Sequence, residues 1–189
     1  MTSPKKPATH VLGIDDGPLD RFTDADTLVV GVVMAGAELV EGVLTTRIEI
    51  DGADATTQLA EWVNGSRFRP LLRAILLDGI TIAGLSVVDL PALSGATRLP
   101  VIALTRKEPD PENLSTALEA AEFPERLGSV RRAGQSRRFR DVSFTCAGVD
   151  ASEVQPLLAH HVGKSKMPEC LRIAHLIAGG VTRGESRGR

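Results

Sequence analysis

Hydrophobic and polar residues alternate in short blocks along this chain. The first apolar run, His10-Val11-Leu12-Gly13-Ile14, ends at Asp15-Asp16-Gly17-Pro18. It reads as a strand running into a turn. Residues 27–35 are β-branched and continuous, the pattern of a buried strand. Gly36-Ala37 makes a tight turn into a third strand over 39–50, where Ile48 and Ile50 alternate with Arg47 and Glu49. Three strands joined by short turns form an antiparallel meander.

The period then changes. Asp51-Gly52-Ala53-Asp54-Ala55-Thr56 reads as a loop leading into a helix, because Leu59, Trp62 and Val63 follow at helical spacing. Pro70 interrupts that helix, and residues 74–77 form a short buried strand ended by Asp78-Gly79. Residues 100–104 open a second strand–helix unit, with Asp110 and Pro111 as start signals for a helix over 112–121. Gly128 and Gly134 weaken any helical pattern in the basic stretch 125–140. Residues 142–146 predict one more strand, at an edge. Residues 154–162 and 169–178 predict closing helices, the last ended by Gly179 and Gly180. Residues 1–8 and 182–189 read as loose tails of one domain spanning 1–189.

This order predicts an α/β fold with a mixed sheet of strand order 3-2-1-4-5 and flanking helices. Strand 4 pairs parallel to strand 1 through a right-handed crossover. The crevice at their C-terminal ends is the switch point where ligands gather. That is the ribonuclease H-like layout.

Composition narrows the function classes. With 189 residues, 42% hydrophobic and 24% charged, the chain can bury a core without a disulfide or metal staple. Five Phe, one Trp and no Tyr argue against aromatic stacking as the main grip on a single strand. Cys146 and Cys170 match neither a zinc pattern nor a disulfide framework, which points to a reducing, cytoplasmic compartment. No apolar run approaches the ~20 residues of a membrane span. The formal charge of −2 hides a split: 10 basic against 18 acidic residues through Pro124, and 12 against 6 afterwards. An acidic centre beside a basic docking surface fits this split, and so does a dipolar surface with no partner.

The acidic candidates cluster by topology. Asp15 and Asp16 end strand 1, and Asp78 ends strand 4. Asp51 and Asp54 follow strand 3 within reach. Close carboxylates repel unless a cation neutralises them, and Mg²⁺ or Mn²⁺ takes oxygen ligands. Such ions activate water and stabilise a leaving oxygen in phosphodiester cleavage. Turn chemistry competes with this reading at each Asp-Gly pair, and Asp54 also suits a helix cap. The basic candidates are Arg126, Arg131, Arg132, Arg137, Arg138 and Arg140, whose forks suit phosphates, with a solvated loop as the plainer reading. Of these, Arg131, Arg132, Arg137 and Arg138 are taken as the nucleic-acid contacts. His10, His160, His161 and His175 form no metal spacing, and His175 reads as a core or rim residue of the last helix.

Several stretches together resemble the domain of unknown function 99 family, also called uncharacterised protein family 0215. They include Gly13-Ile14-Asp15-Asp16-Gly17-Pro18, Asp51-Gly52-Ala53-Asp54-Ala55-Thr56, Leu77-Asp78-Gly79-Ile80-Thr81 and Pro168-Glu169-Cys170-Leu171-Arg172. That family is similar to endonuclease V and carries the label endonuclease dU. The resemblance implies a ribonuclease H-like fold and metal-dependent cleavage of DNA near deoxyuridine, a repair activity on deaminated bases. It implies metal ligation by Asp15 or Asp16 and by Asp78-Gly79. Asp51 or Asp54 stands nearest to the pattern's middle Glu, which has no counterpart of its own. No histidine clearly matches the catalytic one that the endonuclease V pattern places just before Pro168-Glu169, and that pattern's wedge motif, which probes the damaged base, is not recognisable.

Two function classes follow. In the first, the chain is a divalent-metal-dependent endodeoxyribonuclease with Asp15, Asp16, Asp78 and Asp54 as catalytic residues and Asp51 as a further metal ligand. In the second, it is a non-catalytic nucleic-acid-binding domain of the same fold. A phosphotransfer ATPase of the actin-like type ranks last, because such enzymes need two domains of this kind.

Overall fold

The computed structural model describes residues 9–187. Seven strands form one sheet, in the order Leu39–Glu49, Asp26–Ala35, His10–Asp16, Leu72–Asp78, Val101–Thr105, Val142–Ala147 and Arg137–Phe139. The meander is β1 (His10–Asp16), β2 (Asp26–Ala35) and β3 (Leu39–Glu49), paired antiparallel with Leu12 opposite Val33 and Val30 opposite Thr45. α1 (Ala55–Gly65) then crosses to β4 (Leu72–Asp78), which pairs parallel to β1 with Leu12 beside Ile75 and Ile14 beside Leu77. α2 (Leu90–Thr97) leads to β7 (Val101–Thr105), parallel to β4. The order expected from the sequence, with strand 1 between strands 2 and 4, is the order observed.

The two faces of the sheet bury different helices. Leu12, Ile14, Ile75 and Leu77 pack with Leu59, Val63, Leu90 and Leu93 of α1 and α2. Val11, Val30, Ala74 and Leu76 pack with Val154 and Leu158 of α5 (Ala151–His161) and with Cys170, Leu171 and Ala174 of α6 (Glu169–Arg183). Alternation along a strand therefore assigns every β1 and β4 side chain to one helix layer or the other.

The structure departs from the sequence reading in four places. Residues 142–146 lie in β9 (Val142–Ala147), which is not an edge strand: β8 (Arg137–Phe139) covers it. The basic stretch is ordered, not loop-like. It forms a 3₁₀ turn and α4 (Leu127–Arg132), because Val130 buries against Leu118 of α3 (Pro111–Ala120). A small hairpin of β5 (Thr81–Ile82) and β6 (Ser86–Val87) follows Asp78. Finally, α6 continues through Gly179 and Gly180 to Arg183 and stops at Gly184, whose φ of 79° is the left-handed cap glycine favours. The expected loose tail at Thr182 thus starts as helix; residues 1–8, 188 and 189 lie outside the described residues.

Candidate functional site

Asp15 and Asp78 occupy the positions just after Ile14 and Leu77, a paired step of the parallel β1–β4 ladder. Both fall on the strand face that carries Val11, Ala74 and Leu76, the α6 side. This brings residues far apart in sequence side by side at the C-terminal edge of the sheet. Asp15 is buried, at 5% exposure. Its Oδ1 accepts the Asp16 N–H at 3.0 Å, and its Oδ2 lies 2.9 Å from His175 Nδ1 on α6. Gly13 makes this close approach of α6 possible, since a Cβ there would sit 2.7 Å from the Cys170 backbone. A cleft at the strand ends is lined by Asp15, Asp16, Asp78, Gly79 and Thr81 over Ile14 and Ile82.

Asp16 borders this cleft with a second duty. Its Oδ2 accepts the Ala83 N–H of the β5–β6 turn at 2.9 Å. Asp51 stands elsewhere. Its Oδ1 accepts the Leu85 N–H at 2.7 Å, and its Oδ2 takes both the Nε and Nη2 of Arg21, at 2.9 and 2.7 Å. Its carbonyl, with that of Leu85, accepts from the buried guanidinium of Arg126, which stacks on Phe123 at 3.8 Å. Asp51 therefore ties the loop before α1 to the hairpin after Asp78. Asp54 is exposed at the start of α1 and makes no side-chain capping bond. Neither Asp51 nor Asp54 lines the cleft.

His175 is the residue the sequence reading assigned to core or rim. No spacing signal marks it, because its partner Asp15 lies 160 positions away. Only the registration of α6 on β1 reveals the pair.

The arginine run is divided. Arg132 donates from Nε to Asp89 Oδ2 at 2.7 Å. Burial pushes the Asp89 carboxyl up, but the Ala92 N–H, Arg132 and Ser129 hold it below its ordinary 3.8. Arg138 faces Glu108 at 3.5 Å with both side chains solvated. Arg131 and Arg137 are exposed. A separate cavity of about 250 Å³ adjoins the cleft through Gly79 and Thr81. Thr105, Ser136, Ser143 and Thr145 supply hydroxyls to it, and Leu114 and Phe144 supply apolar surface.

Among the described residues, no group of three His, Cys, Asp or Glu side chains is gathered closely enough to hold a metal ion alone. The donor set still fits one cation class. Mg²⁺ keeps several waters and uses one or two carboxylates plus substrate phosphates, which Asp15 and Asp78 can provide.

A family model described as endonuclease dU matches residues 7–182. The chain belongs to the endonuclease dU family. It is 42% identical over 188 residues to a UPF0215 protein of Methanothermobacter thermautotrophicus, covering 97% of this chain and 92% of that one. A UPF0215 protein of Archaeoglobus fulgidus is 40% identical over 179 residues, covering 94% and 96%. A crystal structure of an Archaeoglobus fulgidus protein superposes with a TM-score of 0.85 at 37% identity, covering 92% of this chain and 98% of that chain. Endonuclease V of Bacillus subtilis shares the fold, with a TM-score of 0.62 at 11% identity and coverage of 93% and 81%. So does Ciona intestinalis endonuclease V, solved with a 24mer DNA containing an inosine followed by a ribo-adenosine, with a TM-score of 0.57, 12% identity and coverage of 88% and 82%. The fold of this endonuclease dU family member is therefore ribonuclease H-like, and its family supports a nuclease-like function. Among its described residues, no helix is long and apolar enough to cross a membrane.

Proposed function

We propose that this protein is a divalent-metal-dependent endodeoxyribonuclease that acts on DNA carrying deaminated bases. One observation carries the reading: two carboxylates end adjacent parallel strands on the same face, and a histidine from α6 sits on one of them. Asp15 and Asp78 would hold Mg²⁺ or Mn²⁺, with Asp16 at the rim. When bound, such an ion polarises a phosphoryl oxygen and lowers the pKa of its water.

The chain's own residues supply the rest. Asp15 fixes the His175 ring, so one imidazole nitrogen has a defined partner and the other is set by it. His175 can then hold or pass a proton at the edge of the cleft. Asp51 and Arg126 hold the loops around the cleft and are not assigned as ligands. The cavity beyond Gly79, lined by hydroxyl residues and apolar surface with Asp110 among its lining residues, offers space for a base taken out of the stack. The free cysteines Cys146 and Cys170 suit a reducing cytoplasm and a repair role there.

The test is a nicking assay on duplexes containing uracil, inosine or no lesion, with Mg²⁺ or Mn²⁺. Metal-dependent nicking that prefers a lesion, and disappears in Asp78→Asn, supports the reading. Equal inactivity of the parent and Asp78→Asn on every duplex contradicts it. The second reading, a non-catalytic nucleic-acid binder, draws on the engagement of Asp51 with Arg21 and Leu85, which leaves two strand-end carboxylates instead of a larger ligand set. DNA affinity without any nicking under either metal would favour it.

A further inference from the structure

α6 runs alongside β1 in the same direction. Cys170 lies over Gly13, His175 reaches Asp15, and Thr182 lies against Gly17. Its last turn therefore projects past the strand end that carries the carboxylates. Beside this overhang is a groove of about 350 Å³ lined by Pro18, His175, Gly179, Arg183, Glu185 and Arg187. His175, Gly179 and Arg183 are four residues apart and share one helix face. Gly179 has no side chain to fill the groove. The left-handed turn at Gly184 sends the chain back, so that Ser186 packs at 3.8–3.9 Å from Cβ positions built on Gly179 and Gly180. Arg187 follows directly.

We propose that this groove binds the phosphodiester backbone of the DNA strand entering the Asp15–Asp78 cleft, with Arg183 and Arg187 on consecutive phosphates to one side of it. The inference rests on the nucleic-acid reading of the site above. His175 lines the groove and lies 2.9 Å from the Oδ2 of Asp15, which borders the cleft, so the groove reaches the cleft through this pair. Both arginines are exposed and their forks match phosphate oxygens. The negative end of the α6 dipole works against an anion here; Arg183 in the last turn offsets it, so binding depends on the guanidinium groups. Glu185 is the competing anion. Its carboxylate lies 3.7 Å from Arg187 in a solvated pair, which is weak enough for a phosphate to displace.

The experiment measures binding of a short labelled DNA duplex by fluorescence anisotropy across a salt series without divalent metal. It compares the parent, Arg183→Ala/Arg187→Ala and Glu185→Gln, with nicking kinetics alongside. The double variant should lose about 1.8 from the slope of log affinity against log salt and bind roughly tenfold more weakly at 0.1 M salt. Its KM should rise while kcat holds, because the phosphate contacts position the strand and touch no reacting atom. Glu185→Gln should bind more tightly than the parent. Parental affinity and slope in the double variant, with a parent that binds and nicks, would overturn the groove and leave the nuclease reading standing. A parent that binds no duplex even at low salt would overturn both.

Discussion

His175 Nδ1 lies 2.9 Å from Asp15 Oδ2, and both groups are largely shielded from water. The pair joins the C-terminal helix to the first strand at the place where Asp78 ends its neighbour. Its chemistry predicts a graded response to substitution. His175→Ala should fold, keep DNA affinity, and lose roughly 10²–10⁴-fold in nicking rate, the range for removal of a general acid or base. The pH–rate profile should lose one limb. An unchanged profile would assign His175 to packing.

The Asp51 network predicts the opposite signature. Asp51→Ala removes the acceptor for Leu85 N–H and both Arg21 donors, and it should cost about 1–3 kcal/mol of stability. Metal affinity should stay within twofold of the parent's, measured on protein kept well below its melting temperature. A large loss of metal affinity would return Asp51 to the ligand set.

Gly13 predicts a packing limit. An added Cβ would meet the backbone carbon, Cβ and Sγ of Cys170, each at 2.7 Å. Gly13→Ala should therefore destabilise the fold by about 1–3 kcal/mol, read by denaturant unfolding. Burial pushes the Cys170 thiol up to about 12, so a thiol reagent should label it only after unfolding.

His161 predicts a pH effect far from the site. Its ring nitrogens face the Leu157 and Thr9 carbonyls at 2.8 and 2.9 Å, yet burial holds its pKa below the ordinary 6.5. The unfolded chain then binds the proton more readily. The contribution of His161 to stability is full above pH 6.5 and declines as pH falls below it. Melting temperature between pH 7 and 5 should fall less steeply in His161→Phe than in the parent. Parallel slopes would contradict the assignment.

The basic run predicts unequal contributions. Arg132 is committed to Asp89, the residue that caps α2 through Ala92 N–H. Arg132→Ala should lower stability by about 0.5–1 kcal/mol and change DNA affinity little. Arg131→Ala/Arg137→Ala should weaken binding of damaged and undamaged duplexes equally, since phosphate contacts carry no base information. Loss on one lesion alone would place them in base readout.

The strands from β1 to β4, β7 and β9 could be read from the sequence because each carries its own signal, whereas β8 is three residues of the basic stretch and carries none. The β-branched run of β2 and the Asp-Gly stops after β1 and β4 depend only on neighbours in the chain. Asp15 and Asp78 followed once the strands were placed, since topology alone makes them adjacent. Four features were hidden for related reasons. His175 meets Asp15 through the parallel seating of α6 on β1, which no local pattern encodes. Asp51 reads as a ligand or a turn until the β5–β6 hairpin and Arg21 are in place. The helix over residues 127–132 survives Gly128 because Val130 packs on Leu118, a tertiary contact that outweighs propensity. Gly179 and Gly180 mislead in the same way: buried packing carries α6 across them to Arg183.

The central claim is that Asp15 and Asp78 hold one divalent ion between them. Calorimetric titration of Mn²⁺ into the parent, Asp15→Asn, Asp78→Asn and Asp51→Asn tests it most directly. The account predicts one site in the parent, at least tenfold weaker binding in Asp15→Asn and in Asp78→Asn, and parental binding in Asp51→Asn. Parental Mn²⁺ affinity in Asp78→Asn would contradict it.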